Sequence, residues 1–402
     1  MKYLFLSLAC IATLFACNNT KNVSNDTNPS SNRNLERAAS TLDSLYKYYG
    51  VAGANLLREN YPFDDSYQAN YLGGEQADNA PKPYSYLWPY SSTLSAVSIL
   101  METSADKDKY KTLLDSKVLP GLEEYLDTKR QPDAYASYIN SYKPSDRFYD
   151  DNVWLGIDFA DIYMQTKEKK YLDKSEMIWE FIRSGTDDIL GGGIYWRERG
   201  KSSKNTCSNA PGAVYALKLF IATNNKTYFD EGLALYNWTK ENLQDTEDYL
   251  YFDNINVRNK KVDKTKYAYN SGQMLQAAVI LYNLTKDEKY LTEAKNIAES
   301  CHNHFFHDQA AADGTTFRLV NKGNIWFTAV MFRGFEELYK VDGNRKYVDA
   351  FQASLDYAWE HARETNGLFN GDWSGKQREE SKGLLGQGAF VELYARMAAM
   401  SE

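Results

Sequence analysis

Five tyrosines, Tyr110, Tyr171, Tyr228, Tyr290 and Tyr347, follow one another along the chain at intervals of 61, 57, 62 and 57 residues. Four of them share a phrase in which an apolar helix end precedes a polar turn and the tyrosine opens a second helix. The copies run from Asp161-Ile162-Tyr163 to Lys170-Tyr171-Leu172, from Leu219-Phe220 to Thr227-Tyr228-Phe229, from Leu281-Tyr282 to Lys289-Tyr290-Leu291 and from Leu338-Tyr339 to Lys346-Tyr347-Val348. A degenerate copy surrounds Lys109-Tyr110. Each interval has room for two helices and one long loop. A sixth pair can be assembled from Leu35 to Tyr49 and Gly388 to Met400, which both carry helical spacing of apolar residues. Six helical hairpins, the last closed by the two ends of the chain, predict an all-α fold, an (α/α)6 toroid. An open solenoid of the same hairpins has the same period. Strand signals are sparse. Because the marker tyrosines recur in every unit, they read as packing residues rather than as ligands.

The turns beside the marker tyrosines are short and alike, whereas those at the other end of the hairpins are long and unlike one another. The long ones span residues 61–92, 131–149, 186–210, 246–271, 305–327 and 366–386. A rigid scaffold with variable loops at one end displays its binding groups there. These loops hold Leu87-Trp88-Pro89-Tyr90, Gly191-Gly192-Gly193-Ile194-Tyr195-Trp196, Tyr267-Ala268-Tyr269-Asn270-Ser271-Gly272 and Asn370-Gly371-Asp372-Trp373. Aromatic faces beside polar edges suit sugars, which present apolar C–H faces and a rim of hydroxyls. The formal charge of −8 without a basic cluster argues against nucleic acid and polyanionic partners and for a neutral ligand.

The first seventeen residues join a positive start to an apolar run too short to span a bilayer. They read as an export signal ending in the lipobox Leu14-Phe15-Ala16-Cys17, with Cys17 the site of lipidation and Cys10 a weaker candidate. An ordinary cleaved signal with an incidental cysteine is the plainer reading. Residues 18–34 are polar enough to form a flexible tether, and the folded domain is expected over residues 35–402. The expected placement is the cell envelope, periplasm-facing or at the cell surface, with membrane contact through the lipid alone and a monomeric domain. Cys207 and Cys301 form neither a disulfide framework nor a metal-ligand spacing. His302, His304 and His307 read as a polar helix end rather than a metal site, so no metal and no cofactor is expected.

Of three Asp-Asp pairs, Asp64-Asp65, Asp150-Asp151 and Asp187-Asp188, only the middle one opens a strongly apolar helical run, from Asn152 to Ala160. There the helix N-terminus favours a carboxylate at one aspartate, and that charge hinders ionisation of its neighbour. Cleavage of a glycosidic bond requires such a pair, one group ionised and one protonated. N-capping of the helix is the alternative role for these two residues.

The phrase Tyr149-Asp150-Asp151-Asn152-Val153-Trp154-Leu155-Gly156 resembles the catalytic signature of glycoside hydrolase family 76, the endo-α-1,6-mannanases. The resemblance runs from about Tyr84 to Arg396. It takes in Gly192-Gly193-Ile194-Tyr195-Trp196, Lys204-Asn205, Ser208-Asn209-Ala210-Pro211, Tyr269-Asn270-Ser271-Gly272 and Phe332-Arg333-Gly334. It implies an (α/α)6 fold and a retaining mechanism without metal, with Asp150 as nucleophile and Asp151 as general acid/base acting on α-mannan or manno-oligosaccharides. The expected wall and hydroxyl contacts are Trp88, Tyr195, Trp196, Asn205, Tyr269, Asn270, Trp326, Arg333 and Trp373. Other readings keep the fold and change the activity: a transglycosylase of the same family, a uronyl hydrolase, lyase or epimerase, and a helical glycan-binding lipoprotein that does not cut.

Overall fold

The structure, a computed structural model, describes residues 29–67, 82–140 and 144–400. The helices are α1 (Pro29–Tyr49), α2 (Leu87–Thr103), α3 (Lys107–Leu113), α4 (Leu119–Glu123), α5 (Tyr149–Thr166), α6 (Lys169–Ser184), α7 (Thr206–Thr223), α8 (Lys226–Leu243), α9 (Ala268–Thr285), α10 (Glu288–His304), α11 (Ile325–Asp342), α12 (Lys346–His361) and α13 (Leu384–Ala399). Helices α2, α5, α7, α9, α11 and α13 each pack on the next, and α13 packs back on α2. The ring is therefore closed, and the open solenoid is ruled out. Outside it stand α3 with α4, then α6, α8, α10, α12 and α1, each against its inner neighbour. The pairing of α1 with α13 is the hairpin expected from the two chain ends.

Burial separates the two rings. Every residue of α2 from Pro89 to Met101 is buried, as is every residue of α9 from Asn270 to Leu281. A helix apolar on all sides must be enclosed by others. Outer helices bury one stripe only, as α6 does through Tyr171, Ser175, Ile178, Trp179 and Ile182. Inner helices α5, α7, α9 and α11 end in a left-handed residue, Lys167, Asn224, Lys286 and Gly343 respectively, whose N–H returns to the carbonyl four residues back. This shared helix end is what makes the short turns alike. The marker tyrosines then tie the outer ring together: the hydroxyl of Tyr171 donates to Asp115 at 2.7 Å, that of Tyr228 to Glu176 at 3.0 Å and that of Tyr347 to Glu299 at 2.9 Å. Each partner lies on the preceding outer element, so the tyrosines are packing residues, as their recurrence predicts. The degenerate first copy has a local cause. Pro120 lies in α4 and can donate no backbone hydrogen bond, and a π-helical turn over Leu114–Val118 separates α3 from α4.

Two expectations need correction. Helix α1 begins at Pro29, so residues 29–34 are helix rather than tether. Proline suits a first helical position, and buried Asn34 donates to Gln352 on α12 at 2.8 Å, so polar pairing orders this stretch where apolar burial could not. The lipobox, Cys17 and the rest of the tether lie outside the described residues. The long loops also end sooner than their composition suggests: α2, α9 and α11 begin at Leu87, Ala268 and Ile325. Short strands occupy these loops. A hairpin pairs Phe252–Asn256 with Val262–Lys266, a second pairs Phe306–Ala310 with Thr316–Val320, and Asn60–Tyr61 pairs with Lys382–Gly383 across the joint of the ring.

Buried ion pairs hold the joint between α11 and α13. Arg333 donates to both oxygens of Glu392 at 2.7 and 3.0 Å, and Arg396 spans Glu392 and Glu336 at 2.7 and 2.9 Å. Removing one member leaves an uncompensated charge in the interior. Arg333→Ala is expected to lower unfolding stability by about 3–5 kcal/mol in a denaturant titration while leaving substrate KM unchanged. A change in KM without loss of stability would contradict this placement.

Candidate active site

The N-terminal ends of the inner helices α2, α5, α7, α9 and α11 meet around a cleft of about 850 Å³. Side-chain caps are absent at α2, α5, α7, α9 and α13, whose N-cap residues are Tyr86, Phe148, Asn205, Tyr267 and Gly383. Loop carbonyls cap several of them instead: Leu87 N–H donates to Ser137, Tyr149 N–H to Trp196 and Leu384 N–H to Glu59, all at 2.9 Å. A side chain one turn further in clamps the loop in place. In α5, Asn152 accepts from Tyr135 N–H at 2.8 Å and donates to its carbonyl at 2.9 Å. Asn209 does the same to Ile194, Gln387 to Phe369, and Ser271 accepts from Tyr251 N–H. The loops are thus fixed to the scaffold that they decorate.

Asp150 and Asp151 lie in the first turn of α5, half-buried, and both line the cleft. Neither is the N-cap, so the capping role does not account for them. Asp150 Oδ2 accepts from the Trp196 indole N–H at 3.0 Å and from the Cys207 thiol at 3.4 Å. Its Oδ1 has no hydrogen-bond partner among the described residues. Burial pushes Asp150 up to about 6, against the lowering pull of that indole, that thiol and the backbone N–H groups of the helix start. Asp151 is raised well above the carboxylate range, first by burial and then by the charge of Asp150. The pair therefore divides into a carboxylate held at Asp150 and a proton held at Asp151.

Five of the nine expected contacts line the same cleft as this pair, and a sixth lies behind its wall. Trp88, Trp196, Asn205, Tyr269 and Trp326 line the cleft. Tyr269 stacks on Phe327 with centroids 4.0 Å apart and planes 8° apart, and Trp326 stands edge-on to Trp88 and Trp154. Asn270 is fully buried behind the wall, near Asp253, whose carboxyl burial raises. The other three are corrections. The Tyr195 hydroxyl donates to Asp187 at 2.7 Å and its ring packs under Lys204, so it braces the glycine-rich loop outside the cleft. Trp373 is buried against Phe390 with centroids 5.1 Å apart. Arg333 lies seven residues, about two turns, beyond Trp326 on α11 and belongs to the ion pairs of the opposite pole.

The cleft also contains residues that the sequence reading did not single out: Trp154, Cys207, Asp253, Tyr267 and Phe327. Trp154 sits three residues after Asp151 and so shares its helix face, a signal that was available. Asp253 sits on a strand of a loop hairpin, and nothing local marks it. Among the described residues no three or more His, Cys, Asp or Glu side chains are placed to hold a metal ion. His302 packs on Phe306 and Tyr347, His307 pairs with Asn321, and His304 reaches the rim of the cleft.

A closed helical toroid with two adjacent carboxyl groups under an aromatic cleft has the construction of a glycoside hydrolase. The model of glycosyl hydrolase family 76 matches residues 59–402, and the chain belongs to that family. A solved family 76 mannosidase from Bacteroides thetaiotaomicron VPI-5482 is 35% identical with a TM-score of 0.82, over 92% of this chain and 98% of that one. An inactive variant of the α-1,6-mannanase from Salegentibacter sp. HEL1_6, solved with α-1,6-mannotriose, shares the fold at 21% identity and a TM-score of 0.70, over 92% of this chain and 100% of that one. The mannan endo-1,6-alpha-mannosidase of Saccharomyces cerevisiae is 32% identical over 139 residues, 32% of this chain and 31% of the relative. The chain spans about half or less of the length of the curated relatives that it matches.

The protonation of Asp151 has a stability consequence. Its folded pKa lies above the value near 3.9 of an unfolded aspartate, so the wild type loses stability as pH rises from about 4 through the folded value. Asp151→Asn removes that cost. The variant is expected to be more stable than wild type by about 1 kcal/mol or more at pH 8, with the gain shrinking toward pH 4, in unfolding curves at both pH values. A gain independent of pH would contradict the assignment.

Proposed function

We propose that this chain is a retaining, endo-acting hydrolase of α-1,6-mannosidic bonds in mannan. The observation that carries the reading is the adjacent pair Asp150 and Asp151 at the cleft, where burial raises both carboxyl groups and the charge of Asp150 raises Asp151 further. Asp150 Oδ1 attacks the anomeric carbon as the bond to the departing 6-oxygen breaks, and the proton of Asp151 passes to that oxygen. A mannosyl ester on Asp150 results. Asp151, now ionised, takes a proton from water, whose oxygen attacks the same carbon and frees Asp150. Consecutive Cα atoms lie ~3.8 Å apart, which favours the close carboxyl spacing of retaining enzymes, about 5–5.5 Å, over the wider gap that an inverting water needs. The names of the relatives support the α-1,6 linkage, and the solved complex with α-1,6-mannotriose supports the substrate class. The aromatic wall of Trp88, Phe327 and Tyr269 supports binding of a neutral sugar chain.

The test is turnover of linear α-1,6-mannan. Asp150→Ala and Asp151→Ala should each lose at least about a thousandfold in kcat while remaining folded. The wild-type kcat/KM should fall as pH drops through about 6, where Asp150 gains a proton, and again at higher pH, where Asp151 loses its own. Incorporation of labelled oxygen from water into the products marks hydrolysis, and longer oligosaccharides without label mark glycosyl transfer. Tight mannan binding without any cleavage would leave the binding-lipoprotein reading in its place.

The lipobox supports a second part of the proposal, that Cys17 carries the lipid which holds a monomeric domain at the cell envelope. Cys17→Ala should release the protein from the membrane fraction into the soluble fraction, and unchanged membrane retention would refute the anchor.

A further inference from the structure

Resting on the reading of Asp150 as nucleophile, we infer that Cys207 is a positioning residue for that carboxylate: its thiol and the Trp196 indole clamp one oxygen and so fix the direction of the other. Two donors from two different elements converge on Asp150 Oδ2, the indole N–H at 3.0 Å and the thiol at 3.4 Å. The oxygen left over, Oδ1, has no hydrogen-bond partner among the described residues. A carboxylate held by one oxygen cannot turn its plane freely, so the free lone pair keeps a fixed direction.

The thiol suits this task better than reactivity would. Cys207 is the second residue of α7, only 3% exposed, yet it lines the cleft. Burial and the nearby charge of Asp150 push the thiol well up, so it keeps its hydrogen at working pH and is a poor nucleophile. Tyr269 lines the cleft beside the same sulfur. A thiol is a weak donor, which leaves Asp150 basic enough to attack, whereas a second strong donor would lower its nucleophilicity. The titratable groups that line the cleft with Asp150 are Asp151 on α5, Cys207 on α7, Tyr269 on α9, Asp253 on the strand Phe252–Asn256, Lys266 on the strand Val262–Lys266, His304 at the end of α10, and Tyr86, Tyr267 and Lys322 on the loops. Helices α2 and α11 face the cleft with Trp88 and Trp326, which carry no charge.

The experiment compares wild type with Cys207→Ala and Cys207→Ser, reading kcat, KM and the acid limb of kcat/KM on α-1,6-manno-oligosaccharides. Loss of a donor raises the pKa of a carboxylate, so in Cys207→Ala the acid limb should move up by about 0.5–1 pH unit and kcat should fall about 3–10-fold with KM nearly unchanged. Cys207→Ser restores a donor and should hold the limb at or below the wild-type position. Carbon-13 NMR titration of Asp150, assigned by its loss in Asp150→Asn, reads the same shift without turnover. If mannan is not cleaved at all, the proposed function fails while this titration still tests the clamp. An unmoved Asp150 titration in Cys207→Ala, or a serine variant that behaves as the alanine one, overturns the inference.

Discussion

The positive ends of the inner helices meet at one point, and the chemistry of the molecule depends on that convergence. A helix start carries partial positive charge and unpaired N–H groups, which a polar side chain normally occupies. Here aromatic residues, Tyr86, Phe148 and Tyr267, hold three of those cap positions, and loop carbonyls serve several of the first N–H groups. The remaining field of α5 falls on Asp150, which it helps to keep ionised in a half-buried site. That charge, in turn, keeps the neighbouring proton on Asp151. One dipeptide obtains two protonation states from its place in the ring.

The two poles of the toroid divide the work. At the cleft, polar groups are left unpartnered, among them Asp150 Oδ1 and the Trp326 indole N–H. Such groups, buried without a partner, cost stability. At the other pole the charges are matched: Arg333, Glu392, Arg396, Glu336 and Lys340 form a continuous network between α11 and α13. Ser95 donates to buried Asp158 at 2.6 Å and joins α2 to α5 in the same region. The clamps of Asn152, Asn209 and Gln387 fix the loops of the cleft pole to the helices of the ring.

The architecture was legible because a ring of like hairpins repeats its turn: a left-handed residue in four copies, then a buried tyrosine that in three of them bonds to the previous outer element. The acid pair was legible because an apolar helical run follows it directly. Residue type misled where depth along a helix decides the role. Trp326 and Arg333 share α11, yet two turns separate a cleft wall from a buried ion pair. Tyr195 and Trp196 are neighbours, and strand alternation sends one to Asp187 and the other to Asp150. The start of α2 left no local mark because its cap is the distant carbonyl of Ser137, whereas Asn324 caps α11 with its own side chain, a mark that the sequence does carry. Cys207 and Asp253 enter the cleft only through the fold.

The account rests on Asp150 becoming covalently attached to the sugar. Incubation with a 2-deoxy-2-fluoro-mannosyl donor bearing a good leaving group slows the second step, and intact-protein mass spectrometry followed by peptide mapping then locates the ester. A single mannosyl adduct on the peptide containing Asp150, lost in Asp150→Asn, is the predicted result. An adduct on Asp151, or inverted product with no adduct under turnover conditions, would contradict it.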